Sequence, residues 1–193
     1  MRLVRWLAVP AAACIALAAH AQTYPAKPVR IIVPFAPGGA TDIVTRLLGQ
    51  KLTVVWGQQV VADNRAGASG NIGAELAAKA PPDGYTLFMT SGSVIAANLH
   101  MFRRLNWNPE KDLVAITNVA SGPQIIATHP SVPARSVKEL IALAKAKPGE
   151  LTFGSAGVGT QTHLAAENFL YSAGVNATHI PYKGEGPAMV DLV

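Results

Sequence analysis

The 193-residue chain has one cysteine, Cys14, and it lies within the first 21 residues. The remainder has no thiol, which excludes disulfides, cysteine-ligated metals and a cysteine nucleophile there. Long apolar runs are equally scarce. Trp6 to Ala18 is the one such run, and it is too short to span a bilayer. Basic residues never cluster: Lys27, Arg30, Arg46, Arg65, Arg103, Arg104, Lys138 and Lys145 are scattered. Without a basic block or an aromatic-basic stripe, nucleic acid is not an expected partner. The formal net charge of +5 is mild, and Arg2 and Arg5 supply part of it. No G-x-x-x-x-G-K-[ST] loop occurs, and Gly154 to Gly159 reads G-x-x-G-x-G instead of a dinucleotide fingerprint. No G-x-S-x-G elbow is present. His100, His129, His163 and His179 are scattered, with no H-x-x-x-H or H-E-x-x-H spacing. Neither a metal nor any other cofactor is expected.

The N-terminus has the pattern of a secretory signal. Arg2 and Arg5 form a charged start, Trp6 to Ala18 an apolar run, and Ala19-His20-Ala21 a small-x-small cleavage site before Gln22. Cleavage is expected after Ala21. Cys14 reads as an ordinary residue of the apolar run, because that run continues past it.

The stretch Val29 to Leu48 organises the rest. Val29 to Phe35 reads as a buried strand with a β-branched centre. Pro37-Gly38-Gly39 then turns sharply. Thr41 is the expected N-cap of a helix with Val44, Leu47, Leu48 and Leu52 on one face. Further strands are expected at Gln59–Ala62, Thr86–Thr90 and Leu113–Val119, with helices at Asn71–Ala80 and Val94–His100 between them. A second series follows. Strands are expected at Gln124–Thr128, Leu151–Phe153 and Ala177–Tyr182. Ser136 and Glu139 form a capping box for a helix reaching Lys147. A helix is expected over Thr160–Ser172, with Gly174 just past its end. Alternating strands and helices imply an α/β fold with parallel sheets. The expected division is a signal peptide at 1–21, one α/β unit at 22–122 and an incomplete second unit at 123–193. Pro187 begins a final helix whose apolar face, Met189, Val190, Leu192 and Val193, runs to the chain end without a cap. The expectation is that this is the N-terminal portion of a longer protein.

Two Gly-rich loops, Pro37–Gly39 and Gly154–Gly159, each follow a strand and open a helix. Such loops lie outside the carboxyl ends of parallel strands, where ligands bind, and helix N-termini favour anions. Glycine also makes plain tight turns. Asp42 complements a helix dipole and would repel an anion, so a structural role competes with a ligand role. Thr160 is an N-cap, a ligand hydroxyl or both. His163 is a cap support or a ligand contact. Tyr182 and Lys183 end a strand at a further Gly-rich loop, where Lys183 either charges the cleft or is solvated.

Five stretches carry a resemblance: PFAPGGATDIVTRLL (34–48), DNRAGASGNIGAE (63–75), PPDGYTLF (81–88), FGSAGVGTQTHLAAENF (153–169) and IPYKGEGPAMVDL (180–192). In this order they resemble the Bug family, the periplasmic receptors of tripartite tricarboxylate transporters. The similarity runs from about Tyr24 to the end. It implies a two-domain periplasmic-binding-protein type II (Venus flytrap) architecture, here cut within the second domain. It implies a small organic acid as ligand: a dicarboxylate or tricarboxylate, an amino acid or an aromatic acid. It implies membrane permease subunits as partners, a periplasmic location, a monomer and no catalysis. The ligand-binding positions that follow from the resemblance and the loops are Phe35, Pro37, Gly38, Gly39, Asp42, Ser155, Gly157, Gly159, Thr160, His163, Tyr182 and Lys183. The other readings are a periplasmic hydrolase or isomerase using Ser155 and His163, and a ligand-sensing receptor.

Overall fold

The computed structural model describes residues 23–193. The signal-peptide reading, Cys14 included, lies outside the described residues. Strand β1 (Val29–Val33) is the centre of a parallel sheet ordered β2-β1-β3, with β2 at Val60–Asn64 and β3 at Thr86–Phe88. Ile31 pairs with Ala62 on one side and Leu87 on the other. A central strand loses both faces to the interior, and Val29, Ile31, Ile32 and Val33 are all buried. Arg30 is the exception, reaching Asp63 on β2 at 3.4 Å.

Helix α1 (Ala40–Trp56) follows β1, and α2 (Asn71–Ala78) follows β2. Phe35, Ala74, Val94 and Trp107 close one core cluster beside this sheet. A π turn at Ser93–Ala97 runs into a short helix, α3 (Asn98–Met101), where a single helix Val94–His100 was expected. Pro109–Asp112 forms α4, capped by the Asn108 side chain.

A second sheet pairs β4 (Thr152–Ser155) with β5 (Thr178–Pro181) in parallel. Helix α5 (Val137–Ala146) precedes it, with the Ser136 hydroxyl accepting from the Glu139 N–H at 3.2 Å. Helix α6 (Gln161–Ala173) joins the two strands and ends at Gly174 in the left-handed region. Helix α7 (Glu185–Leu192) comes last. The fold is α/β.

Several expectations need correction. Thr41 does not cap α1. Gly39 holds that position, and the Thr41 carbonyl accepts from the Thr45 hydroxyl inside the helix. The strands expected at Leu113–Val119 and Gln124–Thr128 are absent. An extended segment becomes a strand only when a neighbour pairs its N–H and C=O groups. These segments have no ladder partner among the described residues, and Val114, Ile116 and Ile125 are 91, 77 and 83 % exposed.

Candidate functional site

The carboxyl ends of strands from both sheets meet at one cleft of about 190 Å³. Pro34 and Phe35, just past β1, form one wall together with Gly67, Ala68, Ser69 and Gly70, the loop after β2. Ala156, Gly157 and Val158 after β4, with Pro181, Tyr182 and Lys183 at the end of β5, form the other. Lys183 is the sole charged residue among these lining positions. The Ser69 hydroxyl donates to the Val158 carbonyl and bridges the walls.

Of the positions expected to bind ligand, Phe35, Gly157, Tyr182 and Lys183 line the cleft. Pro37, Gly38, Gly39 and Asp42 do not. They are held against the chain itself. The Gly38 N–H donates to Asp42 Oδ2 at 3.0 Å, and the Ala40 N–H donates to Glu185 Oε2 at 2.7 Å. Asp42 also receives Nε and Nη2 of Arg46, at 3.0 and 2.9 Å, and Asn64 Nδ2 at 2.9 Å. Asn64 ties this group to the Phe35 carbonyl at 3.0 Å. Burial opposes ionisation of Asp42, but the bonds from Arg46, Gly38 and Asn64 outweigh it and hold its carboxyl below the usual range. Asp42 is thus spent on shaping the loop.

Ser155, Gly159, Thr160 and His163 lie behind the second wall and support it. Ser155 is buried. Its hydroxyl accepts from the Gly157 N–H at 3.1 Å and lies 3.2 Å from the Gly157 carbonyl. Thr160 is also buried and donates to that carbonyl at 2.7 Å, so it braces the loop and makes no side-chain cap bond to α6. The Ala156 N–H donates to the Thr162 hydroxyl at 2.9 Å, and the Gly159 N–H to His163 Nδ1 at 3.0 Å. The amides of this glycine-rich turn are therefore paired internally. The reason is burial: an unpaired backbone N–H costs free energy, and nearby hydroxyl and imidazole groups remove that cost.

His179 was not among the expected positions. Its Nε2 lies 2.6 Å from the Ser155 hydroxyl, and its ring stacks on His163 at 4.0 Å and on Phe153 at 4.9 Å. Burial, then the neighbouring His163, push its pKa down, against a smaller opposite pull from Glu167. Ser155 is thus paired with His179 and not with His163. The alternation of β5 carries the signal that finds His179: it faces Phe153 across the ladder. The loop Gly67–Gly70 was also missed as a wall. Four consecutive residues there take positive φ, two of them the non-glycine Ala68 and Ser69. Its position, after a strand and before a helix, matches that of the two loops singled out. Asn98 Nδ2 holds the Ser69 carbonyl at 3.0 Å from a fully buried position.

The family model described as tripartite tricarboxylate transporter family receptor matches residues 44–193. The chain belongs to this receptor family. It is 43 % identical over 198 residues to Protein BugT of Bordetella pertussis, covering all of this chain and 61 % of that protein. The chain therefore spans about three fifths of the length of this relative. Among solved structures it resembles R. palustris Rpa4515 with adipate, at TM-score 0.85 and 38 % identity over 88 % of this chain and 56 % of that one. It also resembles MatC from Rhodopseudomonas palustris with bound malate, at TM-score 0.80 and 28 % identity over 88 % and 57 %. The tripartite tricarboxylate transporter receptors are a receptor family, not an enzyme family.

Proposed function

We propose that this chain serves a periplasmic solute-binding receptor that captures a small organic carboxylate and hands it to the membrane permease of a tripartite tricarboxylate-type transporter. The observation that carries the reading is the cleft itself. It lies where the strands of two parallel sheets end, with one lysine as the charged lining group. Lys183 supplies the attraction, and the positive end of the α6 dipole adds to it. Phe35 and Tyr182 exclude water from the apolar part of the ligand. In this reading residues 22–122 and 123–193 belong to two α/β units that close on the ligand as a hinge. The receptor is exported through residues 1–21, acts as a monomer and transfers its ligand unchanged. Adipate and malate in the similar structures support the ligand class.

Titration calorimetry against succinate, malate, adipate, glutamate and nicotinate tests this, with the ligand followed afterwards by proton NMR. The expected result is one-to-one binding of at least one acid and an unaltered NMR spectrum. Absence of heat with every acid, or conversion of any of them, overturns the reading.

A further inference from the structure

Ser69 stands on a strained stretch of the first wall and bonds to the second. From Gly67 to Gly70 all four residues take positive φ, and Ser69 itself lies at φ 53° and ψ 38°. Residues other than glycine rarely adopt this left-handed region, and they persist there only where the surroundings over-determine them. Here they do. A Cβ on Gly70 would meet Val94 Cγ2 at 2.7 Å and Pro34 Cβ at 3.3 Å, so the loop is pressed onto the core. The Ser69 carbonyl accepts from Asn98 Nδ2 at 3.0 Å, and the fully buried Asn98 is fixed in turn by Asn71 Oδ1 at 3.0 Å. This clamp aims the Ser69 hydroxyl across the cleft, where it donates to the Val158 carbonyl. Ser69 and Val158 both belong to the cleft lining. The short helix that starts at Asn98 also ends on the second wall. Met101 fills the space beside Gly159, next to Val158, where a Cβ would clash with its Sδ. The Ala36 N–H and the Lys183 carbonyl also join the two sides, but they tie backbone to backbone. The Ser69 bond is made by a hydroxyl, which one χ1 rotation releases.

We propose that Ser69 is the closure latch of the cleft: its bond to Val158 holds the walls shut over a captured acid and sets how long the acid stays. Asn98 is the positioning residue that aims it. This rests on the carboxylate-capture reading. An acid leaves between the walls, and the bond must open for it to do so. Ser69 spends its hydroxyl proton on the chain and not on the ligand. It therefore slows the release of adipate, malate or any other acid alike, and leaves the choice among them to the rest of the lining.

Ser69→Ala removes the hydroxyl and keeps the side-chain strain, whereas Ser69→Gly removes the hydroxyl and relieves the strain. Release of radiolabelled adipate and of radiolabelled malate is timed by a chase with unlabelled acid. Both variants are expected to release each acid about threefold to tenfold faster, because opening then breaks one hydrogen bond fewer. A residue that only supported the fold would lower the melting transition and leave the release rate of the folded protein unchanged. In the unliganded protein, hydrogen–deuterium exchange is expected to quicken in Gly67–Gly70 and Ala156–Thr160 and to stay as it is in β1. Release at the wild-type rate in either variant overturns the latch, and so does unchanged exchange in both loops. Faster release of one acid alone makes Ser69 a contact for that ligand and overturns it too. If the wild type retains neither acid, the capture reading itself fails and the retention role falls with it.

Discussion

His163 and His179 clamp the second wall of the cleft from behind. His179 meets Ser155 at the start of the loop, His163 meets Gly159 near its end, and the two rings stack at 4.0 Å. The groups facing His179 are Ser155 and Phe153 on β4 and His163 and Glu167 on α6. Since the folded state lowers the pKa of His179, the unfolded chain takes up its proton first. The stability it contributes is full above the ordinary value of 6.5 and is lost as pH falls through the lowered folded value. Urea midpoints measured across this window are expected to drop on acidification, and His179→Gln is expected to flatten that drop. For Asp42 the folded pKa is also lowered, so its contribution is present above the ordinary 3.8 and lost as pH falls through the folded value. Asp42→Asn is expected to cost about 1–3 kcal/mol near neutral pH, since it leaves Arg46 and the Gly38 N–H short of a charged partner. The same urea titration repeated at low pH is expected to show the difference shrinking.

Helix α2 sets the position of the first wall because it packs directly on the end of β1. At Gly73 a Cβ would sit 2.9 Å from Pro34 Cα and 3.0 Å from the Arg65 carbonyl. Both are backbone atoms, which cannot rotate away. Gly73→Ala is expected to cost about 1–3 kcal/mol by overpacking, read as a lower urea midpoint. It also pushes on Pro34, which lines the cleft, so weaker carboxylate binding is expected alongside. Helix ends with a local capping signal were legible. Ser136 and Glu139 marked the start of α5, Gly174 marked the end of α6, and each is a local signal that needs no distant partner. The segments Leu113–Val119 and Gln124–Thr128 have the residue types of strands but no ladder, because pairing is decided elsewhere in the molecule.

The two sheets are brought together by loops in backbone contact. Ala36 is bonded to Lys183, and a Cβ on Gly186 would clash with the Pro37 carbonyl oxygen. Gly186→Ala is therefore expected to hold the two loops apart. A ligand that bridges both walls raises Tm through linkage to the folded, closed state. That rise is expected to disappear in Gly186→Ala, and the unliganded Tm is expected to fall as well, because the clash is with a backbone oxygen that cannot rotate away. Differential scanning fluorimetry with and without a bound carboxylate checks it.

By itself the sequence determined the local grammar. The β-branched run Ile31-Ile32-Val33 is a buried central strand, and Gly-rich turns follow strands and precede helices. Those features depend on side-chain shape and backbone freedom within a few residues, so they are visible without a fold. The tertiary structure decided which loops form the cleft. Gly67–Gly70 became a wall, while the Gly38 and Ala40 amides of the other loop were bonded to Asp42 and Glu185. It also paired Ser155 with His179, 24 residues away. These outcomes depend on which buried amide lies nearest to which oxygen or nitrogen, and only the packed chain sets that distance.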